Sequence, residues 1–242
     1  MTARAASDYL IVALDGTPKQ ATGWAREVSG SAGWLKVGMT LYYQMGPRIV
    51  DELHRMGPKV FLDLKLHDIP HQVEGAAYVL GRLGVEMLTV HALGGAKMVE
   101  AAVRGAARGA EEIGQSPADV VAVTILTSMT AGNLESIGVE VPIADEVMRL
   151  AHLAVEAGAS GIVCSAQESA RIRDEFGEGI AIVTPGIRPS WASADDQQRI
   201  ATPATAIADG STHLVVGRPI TENASPAEAA SKVRTEIEEA LR

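Results

Sequence analysis

Two kinds of segment alternate along this sequence. Short apolar runs rich in β-branched residues recur at 9–14, 34–37, 59–64, 86–90, 120–126, 161–165, 181–184 and 213–216. Between them lie stretches of helical periodicity, for example 45–56, 73–83, 96–113 and 143–157. Short runs with few polar interruptions suit strands buried on both faces. Strand–helix alternation repeated about eight times implies a parallel sheet with crossover helices. A last helix at 226–241 has Pro226 in its first turn, with Ser225 placed to cap it.

Two architectures satisfy that order, an open doubly wound sheet and a closed (β/α)₈ TIM barrel. The barrel is the better fit. Polar residues stand just past many strand ends: Asp15 after the first, Lys65 at the third, Thr127 after the fifth, Gly186 after the seventh, Gly217 and Arg218 after the eighth. An open sheet gathers such residues at one switch point, whereas a barrel spreads them round its C-terminal mouth. The length of 242 residues matches one barrel, and no Gly/Ser or Pro-rich linker divides it, so residues 1–242 are expected to form a single domain. The polar stretch 188–202 reads as an active-site loop, and the Ala/Gly-rich stretch 101–110 as a tightly packed helix.

Composition narrows the partners. The net charge of -9 disfavours nucleic acid, because an acidic surface repels a phosphate backbone at long range. A small anion remains a fitting ligand where a few basic residues converge. Cys164 is the single cysteine, so neither an intramolecular disulfide nor a cysteine metal site is available, which suits a reducing cytosol. The first eight residues are polar, with no apolar signal core, and no apolar run approaches the ~18 residues of a membrane span. A cytoplasmic protein without a membrane partner is expected.

The chemistry centres on Val60-Phe61-Leu62-Asp63-Leu64-Lys65-Leu66-His67-Asp68-Ile69-Pro70. Alternate residues of a strand share a face, so Asp63 and Lys65 point together toward the barrel axis while Leu62 and Leu64 face the helices. Lys36, on the second strand, can face inward beside Asp63, and Asp68 adds a carboxylate just past the strand end. A single structural ion pair closing the barrel would need only two of these charges. An alternating Lys–Asp–Lys–Asp array instead holds a lysine protonated and aimed, as a general acid requires. His67 and His71 stand four apart like paired metal ligands, but Pro70 interrupts a regular helix through both, so no metal is expected. A Mg²⁺ site on Asp63 and Asp68 competes electrostatically with the lysine between them.

Two further segments put arginine on a glycine turn: Thr184-Pro185-Gly186-Ile187-Arg188-Pro189 and Val216-Gly217-Arg218-Pro219-Ile220-Thr221. They follow the seventh and eighth strands, where barrels often bind phosphate. Glycine lets backbone N–H groups approach an anion, and arginine donates forked hydrogen bonds to its oxygens. Either segment alone is ordinary turn chemistry; the pair at these two places points to a phosphate.

Taken with Val12-Ala13-Leu14-Asp15, Lys36-Val37-Gly38, Leu126-Thr127-Ser128 and Asp195-Asp196-Gln197, these segments resemble the orotidine 5′-phosphate decarboxylase family over nearly the whole chain. The resemblance implies decarboxylation of orotidine 5′-phosphate to UMP, the last step of de novo pyrimidine synthesis, without a cofactor. By position it implies that Lys65 protonates C6 as CO₂ departs and that Asp63 lies beside the substrate carboxylate. Lys36 and Asp68 would complete the charge network, Asp68 reaching into the partner's site of a homodimer. It further implies that Asp15 and Lys36 hold ribose hydroxyls, that Thr127 contacts the base edge, and that Arg188, Gln197, Gly217 and Arg218 hold the phosphate. Gln72 departs from the pattern, standing where a threonine contacts the partner's ribose.

Other chemistries stay open at this point. The Asp-x-Lys-x-x-Asp piece alone also fits a Mg²⁺-dependent sugar-phosphate lyase of the same superfamily. Lys65 as a Schiff-base nucleophile is opposed by flanking carboxylates, which favour its charged form. A nucleotide-binding protein without activity is opposed by the intact charge network.

Overall fold

The apolar runs form eight parallel strands: β1 (Leu10–Ala13), β2 (Trp34–Gly38), β3 (Lys59–Leu66), β4 (Met87–His91), β5 (Asp119–Val123), β6 (Gly161–Val163), β7 (Ala181–Thr184) and β8 (His213–Val216). In the computed structural model, which describes residues 4–192 and 201–242, each strand pairs with the next and β1 pairs with β8 through Leu10↔Leu214. The sheet is therefore a closed (β/α)₈ barrel and not an open one. The helices are α1 (Pro18–Val28), α2 (Met39–Met45), α3 (Arg48–His54), α4 (Pro70–Gly81), α5 (Ala96–Glu112), α6 (Ala131–Ser136), α7 (Ile143–Glu156), α8 (Ala166–Phe176), α9 (Pro203–Ala208), α10 (Arg218–Thr221) and α11 (Pro226–Ala240).

Strand alternation splits the core into two layers. Ile11, Ala13, Trp34, Phe61, Met87, Val121, Val183 and Val215 pack together inside the barrel. Their neighbours, such as Val12, Leu35, Leu62, Leu88 and Leu214, join the larger layer between sheet and helices. The same parity carries Lys36, Asp63 and Thr89 inward, each two residues past an apolar inward neighbour, toward the C-terminal mouth.

Several expectations need correction. The stretch 45–56 is not one continuous helix: α2 ends at Met45, and α3 fills only Arg48–His54. Gly46 at φ +63° ends the first, and Pro47 precedes the second. Ser225 occupies the N-cap position of α11, but its hydroxyl makes no capping bond; its N–H donates to Asn223 Oδ1 at 3.0 Å instead. The runs 120–126 and 161–165 end as strands at Val123 and Val163. Ser165 then caps α8, accepting from the Gln167 N–H at 3.2 Å. The stretch 101–110 is the packed helix expected: a Cβ at Gly105 or Gly109 would lie 2.3 Å from Glu74 O or 2.2 Å from Tyr78 O on α4.

The N-terminal end of the barrel is plugged by a neutral histidine. Arg4 donates to His213 Nε2 at 2.8 Å, so the ring proton sits on Nδ1 and points to Thr212 Oγ1 at 2.9 Å. Burial pushes His213 down to about 3, with the charges of Arg4 and Lys59 adding to it. Trp34 packs edge-on against this ring at 5.2 Å. A depression of about 640 Å³ lies here, but its charged groups are spent on the protein. Glu86, for example, accepts from the Val60 N–H at 2.7 Å and pairs with His54 at 3.2 Å. Among the described residues no helix is long and apolar enough to cross a membrane.

Candidate active site

Four charges of alternating sign run along the barrel mouth. Lys36 Nζ lies 3.1 Å from Asp15 Oδ1 and 3.5 Å from Asp63 Oδ2, and Lys65 Nζ lies 2.8 Å from Asp63 Oδ1. Exposure falls and rises along the row: the side chain of Asp15 is 63% exposed, Lys36 9%, Asp63 15% and Lys65 29%. Lys36 and Asp63 thus sit deep while Asp15 and Lys65 reach the opening. Burial resists ionisation of Asp63, but the ammoniums of Lys36 and Lys65 outweigh it and hold its carboxyl below the usual carboxylate range. Such a pair is retained against its desolvation cost only because each charge has a close partner.

The backbone beneath this row is irregular. β3 and β4 pair at Leu62↔Leu88 and again at Leu66↔Val90, so four steps on β3 match two on β4. Lys65 lies in the excess segment at φ +50°, the one non-glycine with positive φ among the described residues. A left-handed non-glycine residue costs about 1–3 kcal/mol and persists where its surroundings over-determine it. Asp63 and Lys65 do face one cavity, as alternation predicts, but Lys65 reaches it through a bulge and not a regular strand.

That cavity, of about 140 Å³, has charge on one side and hydrocarbon on the other. Lys36, Asp63 and Lys65 face Val123, Ile125, Val163 and Val215, with Thr127 at the rim. Cys164 also lines it, but burial pushes its thiol up to about 12, so it presents no thiolate. A second cavity of about 290 Å³ is lined by Arg188 and Arg218 together with Trp191, Glu222 and Asn223. Arg188 is buried and its N–H donates to Ala201 O at 2.9 Å, while Arg218 is exposed at the start of α10. Gly186 makes the turn between β7 and Arg188 at φ +79°, a conformation side chains rarely adopt. Gly217, the residue before α10, follows β8 directly.

The remaining expected residues lie elsewhere. Asp68 is exposed; its Oδ1 accepts from the Ile69 N–H at 2.6 Å, and among the described residues it has no ion pair with Lys36 or Lys65. Gln72 is exposed on the first turn of α4. Gln197 lies outside the described residues, as do Asp195 and Asp196. His67 and His71 do not join a metal-ligand set; His67 instead stacks on His91 at 5.3 Å. Among the described residues no group of three or more His, Cys, Asp or Glu is arranged to hold a metal.

Three residues of the site have contacts that the sequence does not give. Gly38 leaves room for the Asp15–Lys36 contact, since a Cβ there would stand 3.0 Å from Asp15 Oδ1. His91 is buried at the end of β4, pushed down to about 4 by burial and then by the charges of His67 and Lys65. It therefore adds no second cation beside Lys65 near neutral pH. Thr89, fully buried, bonds to both Lys65 and Asp63. Alternation places each inward, but only the fold shows what each touches.

A parallel barrel with two arginines lining one cavity and a paired lysine–carboxylate row at its C-terminal mouth defines an enzyme of the TIM-barrel class. Residues 8–233 match the family model described as orotidine 5′-phosphate decarboxylase / HUMPS family, and the chain belongs to that family. It is 48% identical over 231 residues to a protein of Halorhodospira halophila called orotidine 5′-phosphate decarboxylase, covering 94% of this chain and 95% of the other. A protein of the same name from Heliobacterium modesticaldum is 47% identical, covering 98% of each. Among solved structures, the Lactobacillus acidophilus orotidine 5′-phosphate decarboxylase superposes with a TM-score of 0.84 at 37% identity, covering 94% of this chain and 98% of that one.

Proposed function

We propose that this chain converts orotidine 5′-phosphate to UMP and CO₂ without a cofactor, as a step of pyrimidine biosynthesis. The carrying observation is the Lys65 ammonium, held 2.8 Å from Asp63 and facing a cavity with an apolar wall. Losing CO₂ leaves an electron pair at C6 with no adjacent π-acceptor, so electrostatics must supply the sink that a cofactor elsewhere provides. Lys65 stabilises that developing charge and donates the proton. Asp63 faces the substrate carboxylate, and the apolar wall suits departing CO₂.

Repulsion by Asp63 alone is too small. Two unit charges ~4 Å apart at an effective dielectric of ~20 interact by about 4 kcal/mol. Enzymes supply about 8–23 kcal/mol. Stabilisation of the transition state by Lys65, with binding energy drawn from the phosphate, therefore carries most of the rate. Arg188, Gln197, Gly217 and Arg218 take the phosphate, Asp15 and Lys36 the ribose hydroxyls, and Thr127 the base edge.

The working unit is a homodimer with shared sites. Asp68 is exposed and unpaired with its own chain's Lys36 and Lys65, and apolar side chains stand exposed after three adjacent strands: Met39 and Tyr43 after β2, Ile69 after β3, Leu93 after β4. A second copy covering this face would bring Asp68, and Gln72 beside it, to the partner's site. The cytosol is the matching compartment for such a metabolic enzyme.

A Mg²⁺-dependent lyase is the competing reading. Both oxygens of Asp63 already face an ammonium, which opposes a divalent cation there. Following ultraviolet absorbance as orotidine 5′-phosphate is offered to the purified chain in EDTA tests both readings. Conversion to UMP is expected; no conversion refutes the proposal, and activity only after adding Mg²⁺ supports the competitor.

A further inference from the structure

We propose that Thr89 is a positioning residue for Lys65, its hydroxyl tying the Lys65 backbone to the Asp63 carboxylate and so fixing where the ammonium points. The inference rests on the decarboxylase reading above and adds a residue to it. Thr89 Oγ1 lies 2.8 Å from the Lys65 N–H and 3.2 Å from Asp63 Oδ1. A backbone N–H only donates, so the hydroxyl accepts there and its own proton goes to the carboxylate. The same Asp63 Oδ1 pairs with Lys65 Nζ at 2.8 Å. The contacts close a ring from Lys65 N–H through Thr89 and Asp63 back to the Lys65 ammonium. Lys65 is thereby held at both ends by one pair of neighbours.

Position makes the hydroxyl necessary. Thr89 sits between Leu88 and Val90, the two β4 residues where pairing to β3 stops and resumes, so it stands opposite the bulge. The Lys65 N–H finds its partner in the Thr89 side chain. Thr89 has no exposed surface, so water cannot replace it as the donor or acceptor. Valine would fill the volume but leave the N–H without a partner and Asp63 Oδ1 with the Lys65 ammonium alone. Serine would keep the hydroxyl and lose only a methyl.

The test compares Thr89→Val and Thr89→Ser in the full-length protein, first confirming that the parent decarboxylates orotidine 5′-phosphate. An inactive parent would defeat the decarboxylase reading and leave the second readout, hydrogen exchange at the Lys65 amide, to decide the role of Thr89. Thr89→Val is expected to lower kcat about 10- to 100-fold with KM changed far less, as loss of a charge-assisted bond implies. Its acid limb of kcat should move to higher pH, because Asp63 loses one of the bonds that favour its ionised form. The Lys65 amide should exchange at least about tenfold faster, and Thr89→Ser should restore all three properties. If Thr89→Val does not fold, Thr89→Ala against Thr89→Ser makes the same comparison. An unchanged Lys65 exchange rate, a serine variant as impaired as the valine or alanine one, or an unmoved acid limb in an active enzyme would each overturn the assignment.

Discussion

Lys65 Nζ sits 2.8 Å from Asp63 Oδ1, and Lys36 occupies the other oxygen of that carboxylate at 3.5 Å. Asp63 thus orients one ammonium while being neutralised by another, which leaves Lys65 as the more exposed of the two ammoniums. Lys65→Ala is expected to lower turnover by about a hundredfold or more while nucleotide binding stays measurable by calorimetry. Turnover within tenfold of the parent would remove Lys65 from its role.

Arg188 and Arg218 line one cavity although they follow different strands. Arg218→Ala should therefore reduce kcat/KM for orotidine 5′-phosphate far more than for orotidine, which has no phosphate to hold. Equal losses on the two substrates, measured side by side, would contradict a phosphate grip.

A methyl group at position 38 would stand 3.0 Å from Asp15 Oδ1 and 3.4 Å from Lys36 Nζ, close enough to push on both. Gly38→Ala is expected to raise KM several-fold with a smaller change in kcat, because the Asp15–Lys36 pair, proposed to receive the ribose, must shift by a few tenths of an ångström. A variant with parental KM would show that the pair yields freely.

Asp68 gives a test of shared sites that needs no structure of the dimer. Lys65→Ala and Asp68→Asn chains should each be nearly inactive alone. Mixed after unfolding and refolding together, they should regain about a quarter of parental activity, because a mixed dimer carries one site with neither change. No recovery would mean that Asp68 acts within its own chain or not at all.

Two buried histidines set the acid side of stability. His91 and His213 are neutral in the folded chain, down at about 4 and about 3, against an ordinary 6.5. Below pH ~6.5 the unfolded chain binds protons that the folded chain refuses, so the sign favours unfolding as pH falls. Their contribution is complete above that pH and erodes downward, by up to about 1.4 kcal/mol per pH unit for each. Urea midpoints between pH 7 and pH 4.5 should fall, and His213→Gln should flatten the slope by about one proton. An unaltered slope would place the titration elsewhere.

The alternation of apolar runs was enough to expect a barrel, because a strand buried on both faces writes its length directly into the residues. Apolar spacing continues across Gly46-Pro47 and so hides the break there, where backbone conformation and not pattern ends the turn. Asp63, Lys65 and Lys36 were legible as inward charges. Asp68 was legible as a charge, but its outward placement follows from the bend into α4. Thr89 carried no signal: a threonine in a strand is ordinary, and its meaning comes from standing across from a bulge that no local spacing encodes. Gln197 falls outside the described residues, so its part in the phosphate site rests on resemblance alone.

Trp191 lines the arginine cavity and is partly exposed, whereas Trp34 is buried at the opposite end of the barrel against His213. With the third tryptophan, Trp24 beside Gly16, replaced by Phe, the molecule carries two optical probes of its own at the two ends of one axis. Fluorescence that responds to nucleotide should originate at Trp191, and fluorescence that responds to acid should originate at Trp34. Ligand occupancy and acid-induced loosening can then be followed separately in a single unlabelled sample.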